Sequence, residues 1–436
     1  MPSKTIITMP EGSERRAAAR LTGRYLMSYV PQSHARITMK LSSAGFAPAR
    51  AVSVESSGVH PLPHGAHMAM ESIGVAVIDP TSASMAALEA FAAQDADVTA
   101  MVPERIVHAI DAVPDYVRGW RDATLALSDR VLGSDTPRQT QAEAATAAAT
   151  WGLIATRVID SRRSGTGINL AVLDTGLDLS HPDFAGRRIV TQNFVGDDAP
   201  FHDGVGHGTH CMGTAGGPLQ PARGQRYGIA WQANLFAGRV LDDNGRGGDA
   251  NILQGIDWAL AQGCSVVSLS LGAPWLSGDP AFNPVYENAA RNALAKGCLL
   301  VVAAGNDFGQ PGLAGAVGTP GNSPSVLTVA ALDAGLATAY FSNRMTALAP
   351  GVKGPDCAGP GVDVYSAWPV AAGSYNTISG TSMATPHVAG IAALLAESDP
   401  ALRGQALKDA TIRLCKLLAD ATARKGEIGA GLVQAP

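Results

Sequence analysis

The chain has 436 residues, of which 46% are hydrophobic and 16% charged, and its net charge is -5. That length and apolar share suit two or three domains with large cores and exclude a disordered chain. With no basic stripe and no run of like charge, the composition argues against nucleic acid as a partner, and no apolar stretch reaches the length of a membrane span.

Residues 1–23 read as an N-terminal extension. Met1 to Gly12 are too polar and broken for the apolar stretch of a secretory signal. The compartment stays open between the cytoplasm, a non-classical export route and a biological start elsewhere. Residues 24–110 form a small α+β block. Positions 24–30 read as a strand, 35–41 as a second apolar–polar alternation and 74–78 as a third strand. Positions 84–94 read as a helix with Met85, Leu88 and Phe91 or Ala92 on one face. Residues 111–150 are polar, then alanine-rich. They read as an exposed, protease-sensitive linker.

From residue 151 to the C-terminus the pattern changes. Near-continuous apolar strands are expected at 168–173, 235–240, 265–269, 299–303 and 326–331. Helices are expected at 207–215, 250–261, 285–296 and 382–397. Alternation of this kind predicts an α/β fold in three layers, with a mainly parallel sheet covered on both faces. Ligand crevices in open α/β sheets lie beyond the carboxyl ends of the strands. Asp174 directly follows the first strand and Asn306 the fourth.

Three segments carry chemistry that belongs together. They are Asp174-Thr175-Gly176, His207-Gly208-Thr209-His210 and Gly380-Thr381-Ser382-Met383-Ala384-Thr385-Pro386-His387. A serine hydroxyl is a weak nucleophile until an imidazole takes its proton, and that imidazole must be oriented by a carboxylate. Taken alone, Asp174 is a turn residue, His207 structural and Ser382 a helix N-cap; their joint context overturns those readings. The second glycine of an esterase elbow is replaced by Ala384, and the chain order Asp, His, Ser is wrong for that fold. A zinc site from His202, His207, His210 and Cys211 lacks a His-Glu-x-x-His pattern. The five cysteines are scattered and cannot all pair within one chain, so buried free thiols are the simplest reading, with a bridge or two as the alternative.

With Ala303-Ala304-Gly305-Asn306 and the closing Gly429-Ala430-Gly431-Leu432-Val433, these motifs resemble the subtilisin-like serine proteases (the S8 peptidases). The resemblance runs from about Trp151 to the C-terminus. It implies a serine endopeptidase of broad specificity, with Ser382 as nucleophile, His207 as base, Asp174 as its orienter and Asn306 as an oxyanion donor. It places Ser270, Leu271 and Gly272 on one wall of the primary substrate pocket and Ala303, Ala304 and Gly305 on the other. Leu241, Gly245 and Gly247 would form a second edge, where Asp249 stands in place of the family's usual aromatic. Asp307 would add tolerance of basic side chains. His207-Gly208-Thr209-His210-Cys211 resembles the proteinase K branch, whose free cysteine beneath the histidine implies sensitivity to mercurials. The same branch implies structural calcium, held by Asp356 with the carbonyls of Pro324 and Val326, and by Asp183; catalysis needs no cofactor. Residues 24–110 resemble an I9-type propeptide, an intramolecular chaperone and inhibitor removed by cleavage between about Ile110 and Thr150. The expected partners are protein and peptide substrates and the chain's own propeptide, on a monomer.

Overall fold

The computed structural model describes residues 4–7, 21–49, 62–81, 84–110, 148–195, 201–418 and 424–436. The expected linker falls almost wholly outside them. The smaller domain runs β1 (Thr5–Ile6), β2 (Leu21–Tyr29), α1 (His34–Ser43), β3 (Ala47–Pro48), β4 (Ala66–Met70), β5 (Val75–Asp79), α2 (Met85–Gln94) and β6 (Val98–Ala109). Its sheet has the order β1-β6-β2-β5-β4-β3. The sheet thus includes Thr5–Ile6 and begins β2 at Leu21, inside the segment read as an extension.

Strand alternation sorts this sheet's two faces. Tyr25, Met27 and Tyr29 of β2 with Ala76 and Ile78 of β5 pack under the helices, against Ile37, Leu41, Leu88 and Ala92. Leu26, Val75 and Val77 point the other way, into a core shared with the larger domain. Residues 35–41 are helical, not the expected alternation. Apolar residues do recur every second position there, but Met39 is 63% exposed, and burial falls on Ile37 and Leu41, one helical turn apart.

The larger domain opens with the short α3 (Trp151–Ala155), β7 (Asn169–Asp174), β8 (Ile189–Asn193), α4 (His207–Gly216) and β9 (Asn234–Arg239). Next come β10 (Arg246–Gly248), α5 (Asp249–Ala261), β11 (Val266–Leu269), β12 (Leu271–Gly272), α6 (Pro284–Ala295) and β13 (Leu299–Ala303). It closes with β14 (Leu327–Leu332), β15 (Cys357–Pro360), the hairpin β16 (Val364–Ala367) and β17 (Tyr375–Ile378), α7 (Thr381–Ser398), α8 (Gly404–Arg413) and α9 (Lys425–Ile428).

Seven strands, in the order β15-β14-β13-β11-β7-β9-β8, form one sheet, and every pair in it is parallel. Leu170 and Val172 of β7 face a core built with α4 and α7, while Ala171 and Leu173 face a core built with α5 and α6. Both faces are covered, which explains strands without polar alternation. This is the three-layer α/β arrangement expected. The anticipated strands and helices lie within one residue of their observed ends. No helix among the described residues is long and apolar enough to cross a membrane.

Candidate active site

The carboxyl end of β7 delivers Asp174, and the first residue of α4 is His207. Asp174 Oδ1 and His207 Nδ1 are 2.6 Å apart, with both side chains buried. The same oxygen accepts the Thr175 N–H at 2.7 Å. Asp203 fastens the two segments. Its Oδ1 accepts from the Gly206 N–H at 2.7 Å and the Thr175 hydroxyl at 2.8 Å, and its Oδ2 from the Thr209 N–H at 2.8 Å. Thr175 Oγ1 in turn accepts the Gly208 N–H at 2.9 Å. An aspartate just ahead of a helix is the signal that would have found Asp203, since orphan N–H groups there need acceptors. With Nδ1 committed to the carboxylate, Nε2 is the basic atom of the ring.

Ser382 is the second residue of α7, a helix that packs on α4 and continues through Pro386. Proline has no N–H to give the carbonyl four residues back, here that of Ser382. That oxygen accepts instead from the Ser270 hydroxyl at 2.8 Å and faces Cys211 Sγ at 3.6 Å. Cys211 Sγ also lies 3.9 Å from His207 Nδ1, so one sulfur touches both segments. Burial pushes its thiol up to about 11. Donor atoms of Asp174, His207 and Cys211 converge closely enough to hold an ion, yet a thiol kept protonated is a poor ligand. The other zinc donors point elsewhere, His210 Nε2 to the Val364 carbonyl at 2.9 Å and His202 Nε2 to Asp243 at 3.1 Å.

A main-chain carbonyl reaches Ser382 and Asn306. The Ile110 carbonyl oxygen accepts from Ser382 Oγ at 2.6 Å and from Asn306 Nδ2 at 3.0 Å. The Asn306 amide is oriented from behind, because its Oδ1 accepts both the N–H and the hydroxyl of Thr381 at 2.9 Å. Thr381 Oγ1 then accepts the Gly305 N–H at 3.1 Å. Gly305 has φ +110°, and a Cβ there would meet Asn343 Nδ2 at 2.3 Å, so the turn that aims Asn306 requires glycine. Sequence reasoning gave Asn306 a role but gave Thr381 none beyond its place in the Ser382 motif.

Ile110 arrives on β6, which leaves its own sheet and runs antiparallel between β10 and β12. Val107 pairs with Gly247, His108 with Arg246 and Gly272, and Ala109 with Leu271. The Ala109 N–H reaches Gly245 O at 2.8 Å and the Ile110 N–H reaches Ser270 O at 3.2 Å. A cavity of about 270 Å³ remains beside Ile110, lined in part by Gly272, Gly305, Asn306, Asp307 and Gln310. Of the expected wall residues, Gly272 and Gly305 border this space, while Ser270 and Leu271 contribute backbone. Ala303 closes β13, and Ala304 packs behind with Trp275 and Val317. Leu241 lies in the apolar cluster that also buries Val107 and Ile252. Asp249 is fully buried, accepting the Arg105 N–H at 2.8 Å and the Tyr286 hydroxyl at 2.8 Å, and burial pushes its carboxyl up to about 6.

The candidate calcium ligands do not fit an ion. Lys353 Nζ donates to Asp356 Oδ2 at 2.9 Å and to Val326 O at 3.2 Å, and Lys408 Nζ donates to Pro324 O at 2.8 Å. Two ammonium groups therefore satisfy the oxygens proposed for the cation. The Asp183 carboxylate is taken by the Ala222 N–H at 2.6 Å and by the hydroxyls of Tyr227 and Tyr375. All five cysteines are free thiols.

The model of the subtilase family matches residues 165–431. Subtilisin-like protease 2 of Pseudogymnoascus destructans is 37% identical over 258 residues, covering 57% of this chain and 58% of that protein. Subtilisin E of Bacillus subtilis is 36% identical over 247 residues, covering 56% of this chain and 60% of that protein. The matched region thus spans less than two thirds of either relative. Among solved structures, the crystal structure of a cold adapted subtilisin-like serine proteinase superposes with a TM-score of 0.51 at 32% identity, covering 62% of this chain and 92% of that one.

Proposed function

This chain belongs to the subtilase family, and on that premise we propose that it is a serine endopeptidase made as a self-cleaving zymogen. The observation that carries the reading is the Ile110 carbonyl, held between the Ser382 hydroxyl and the Asn306 amide. Ser382 Oγ attacks the Ile110 carbonyl carbon and its proton passes to His207 Nε2. Asp174 stabilises the imidazolium, and Asn306 donates to the oxygen as it becomes negative. Collapse breaks the Ile110–Asp111 bond, His207 returns the proton to the leaving amine, and water then hydrolyses the acyl-enzyme. No cofactor enters this scheme.

Other substrates would enter as β6 does, adding an antiparallel strand between β10 and β12. The buried position of Val107 and the cavity beside Ile110 support broad specificity for apolar side chains at the cleaved residue and three residues before it. The smaller domain acts as intramolecular inhibitor, since it fills this cleft. A fluorophosphonate probe should label the chain, Ser382→Ala should abolish the label, and casein should be cleaved while lipid esters are not. Absence of labelling in the processed wild type would leave a binding protein on a protease fold.

A further inference from the structure

We propose that Asp249 and Asp279 form a distal acidic subsite that selects substrates with arginine five residues before the cleaved residue. The proposal rests on the peptidase reading above. Arg105 lies five residues before Ile110 in sequence, about 17 Å away along an extended strand. It is held at both ends of the residue. Its N–H donates to Asp249 Oδ2 at 2.8 Å. Its guanidinium makes a two-pronged contact with Asp279, Nη1 to Oδ2 at 3.0 Å and Nη2 to Oδ1 at 3.2 Å. This fork-to-fork geometry is specific to arginine over lysine.

Asp279 belongs to the larger domain and is positioned by its own loop. The Leu276 N–H donates to its Oδ2 at 3.1 Å, and its own N–H donates to Leu276 O at 2.9 Å. The carboxylate therefore has its orientation without help from the smaller domain. Register is set by the pairing of Ile106 with Gly248 and Val107 with Gly247, edges that any bound peptide would use. A peptide whose cleaved bond sits at Ser382 then brings its own sixth residue, counted back from that bond, to Asp279. The Asp249 contact adds a demand of its own, because it needs a backbone N–H that proline lacks.

The test uses the full chain as purified and quenched-fluorescence peptides spanning Val102 to Val113, with arginine, alanine or proline at the position of Arg105. The arginine peptide should be cleaved with kcat/KM about five- to tenfold above the alanine peptide, carried by KM, because the pair is only partly screened from water. The preference should shrink with added salt. In Asp279→Asn it should fall to near unity, and in Asp279→Arg a glutamate peptide should overtake the arginine one. The proline peptide should be the poorest. Equal cleavage of the arginine and alanine peptides by wild type, or an undiminished preference in Asp279→Asn, would overturn the subsite while leaving the peptidase reading intact. Cleavage of no peptide by wild type that has already released its fragment ending at Ile110 would overturn both.

Discussion

The hydroxyl of Ser382 donates to the carbonyl oxygen of Ile110 at 2.6 Å, although 272 positions separate the two residues. A main-chain carbonyl has been carried from the edge of one domain to the first turn of a helix in the other. It meets there the Ser382 hydroxyl and the Asn306 amide, in the domain whose α4 holds the His207 imidazole against Asp174.

Asn306 donates its side-chain amide to that carbonyl, so Asn306→Ala should lower kcat by about 100–1000-fold with little change in KM, a magnitude taken from a subtilisin. Thr381→Val removes one of the two hydrogen bonds that orient the Asn306 amide and the acceptor for the Gly305 N–H. A loss of about tenfold in kcat is expected, since the Thr381 N–H still holds Asn306 Oδ1. Steady-state kinetics on one peptide check both. A Thr381→Val enzyme with full kcat would show that the amide needs no such support.

Two buried histidines should make stability fall in acid. Burial holds His210 down to about 3 and His387 down to about 4. In the unfolded chain both titrate near 6.5, so between about pH 6.5 and 4 the unfolded state takes up protons that the folded state refuses. Their contribution is complete above pH 6.5 and is lost as pH falls, at up to about 1.4 kcal/mol per pH unit for each. Thermal unfolding between pH 7 and 5 should show this slope, and His387→Gln should reduce it by about half. A Tm unchanged between those two pH values would contradict the prediction.

The ammonium groups of Lys353 and Lys408 stand where calcium was expected from the sequence. Excess EDTA should therefore leave the wild-type Tm within about 1 °C through this site, because a ligand stabilises only by binding the folded state. Lys353→Met should lower Tm, since it leaves the Asp356 carboxylate without its cationic partner. An EDTA-sensitive Tm that Asp356→Asn abolishes would reinstate the ion.

Much of this architecture is legible in the sequence because the parallel sheet is buried on both faces. Strands such as β7 and β13 are written as near-continuous apolar runs, and the helices between them are long. The smaller domain is harder to read. In α1 the apolar residues at 35, 37, 39 and 41 imitate a strand, and only packing reveals that Met39 faces outward. Asp174, His207, Ser382 and Asn306 announce themselves by their flanking residues. Asp203 leaves only the weaker trace of an aspartate just ahead of a helix, and the role of Thr381 consists of contacts with Gly305 and Asn306, distant in sequence. The position of Ile110 is likewise invisible locally, since nothing in residues 106–110 says that β6 leaves its own sheet to pair with β10 and β12.

Self-cleavage requires that Ser382 cut the Ile110–Asp111 bond. The most direct measurement is intact mass with N-terminal sequencing of wild type and Ser382→Ala, expressed and purified identically. Wild type should release a fragment ending at Ile110 and a partner beginning at Asp111, or at a later residue if trimming follows, while Ser382→Ala stays full length. Both proteins remaining intact, or both being cut at the same bond, would contradict it.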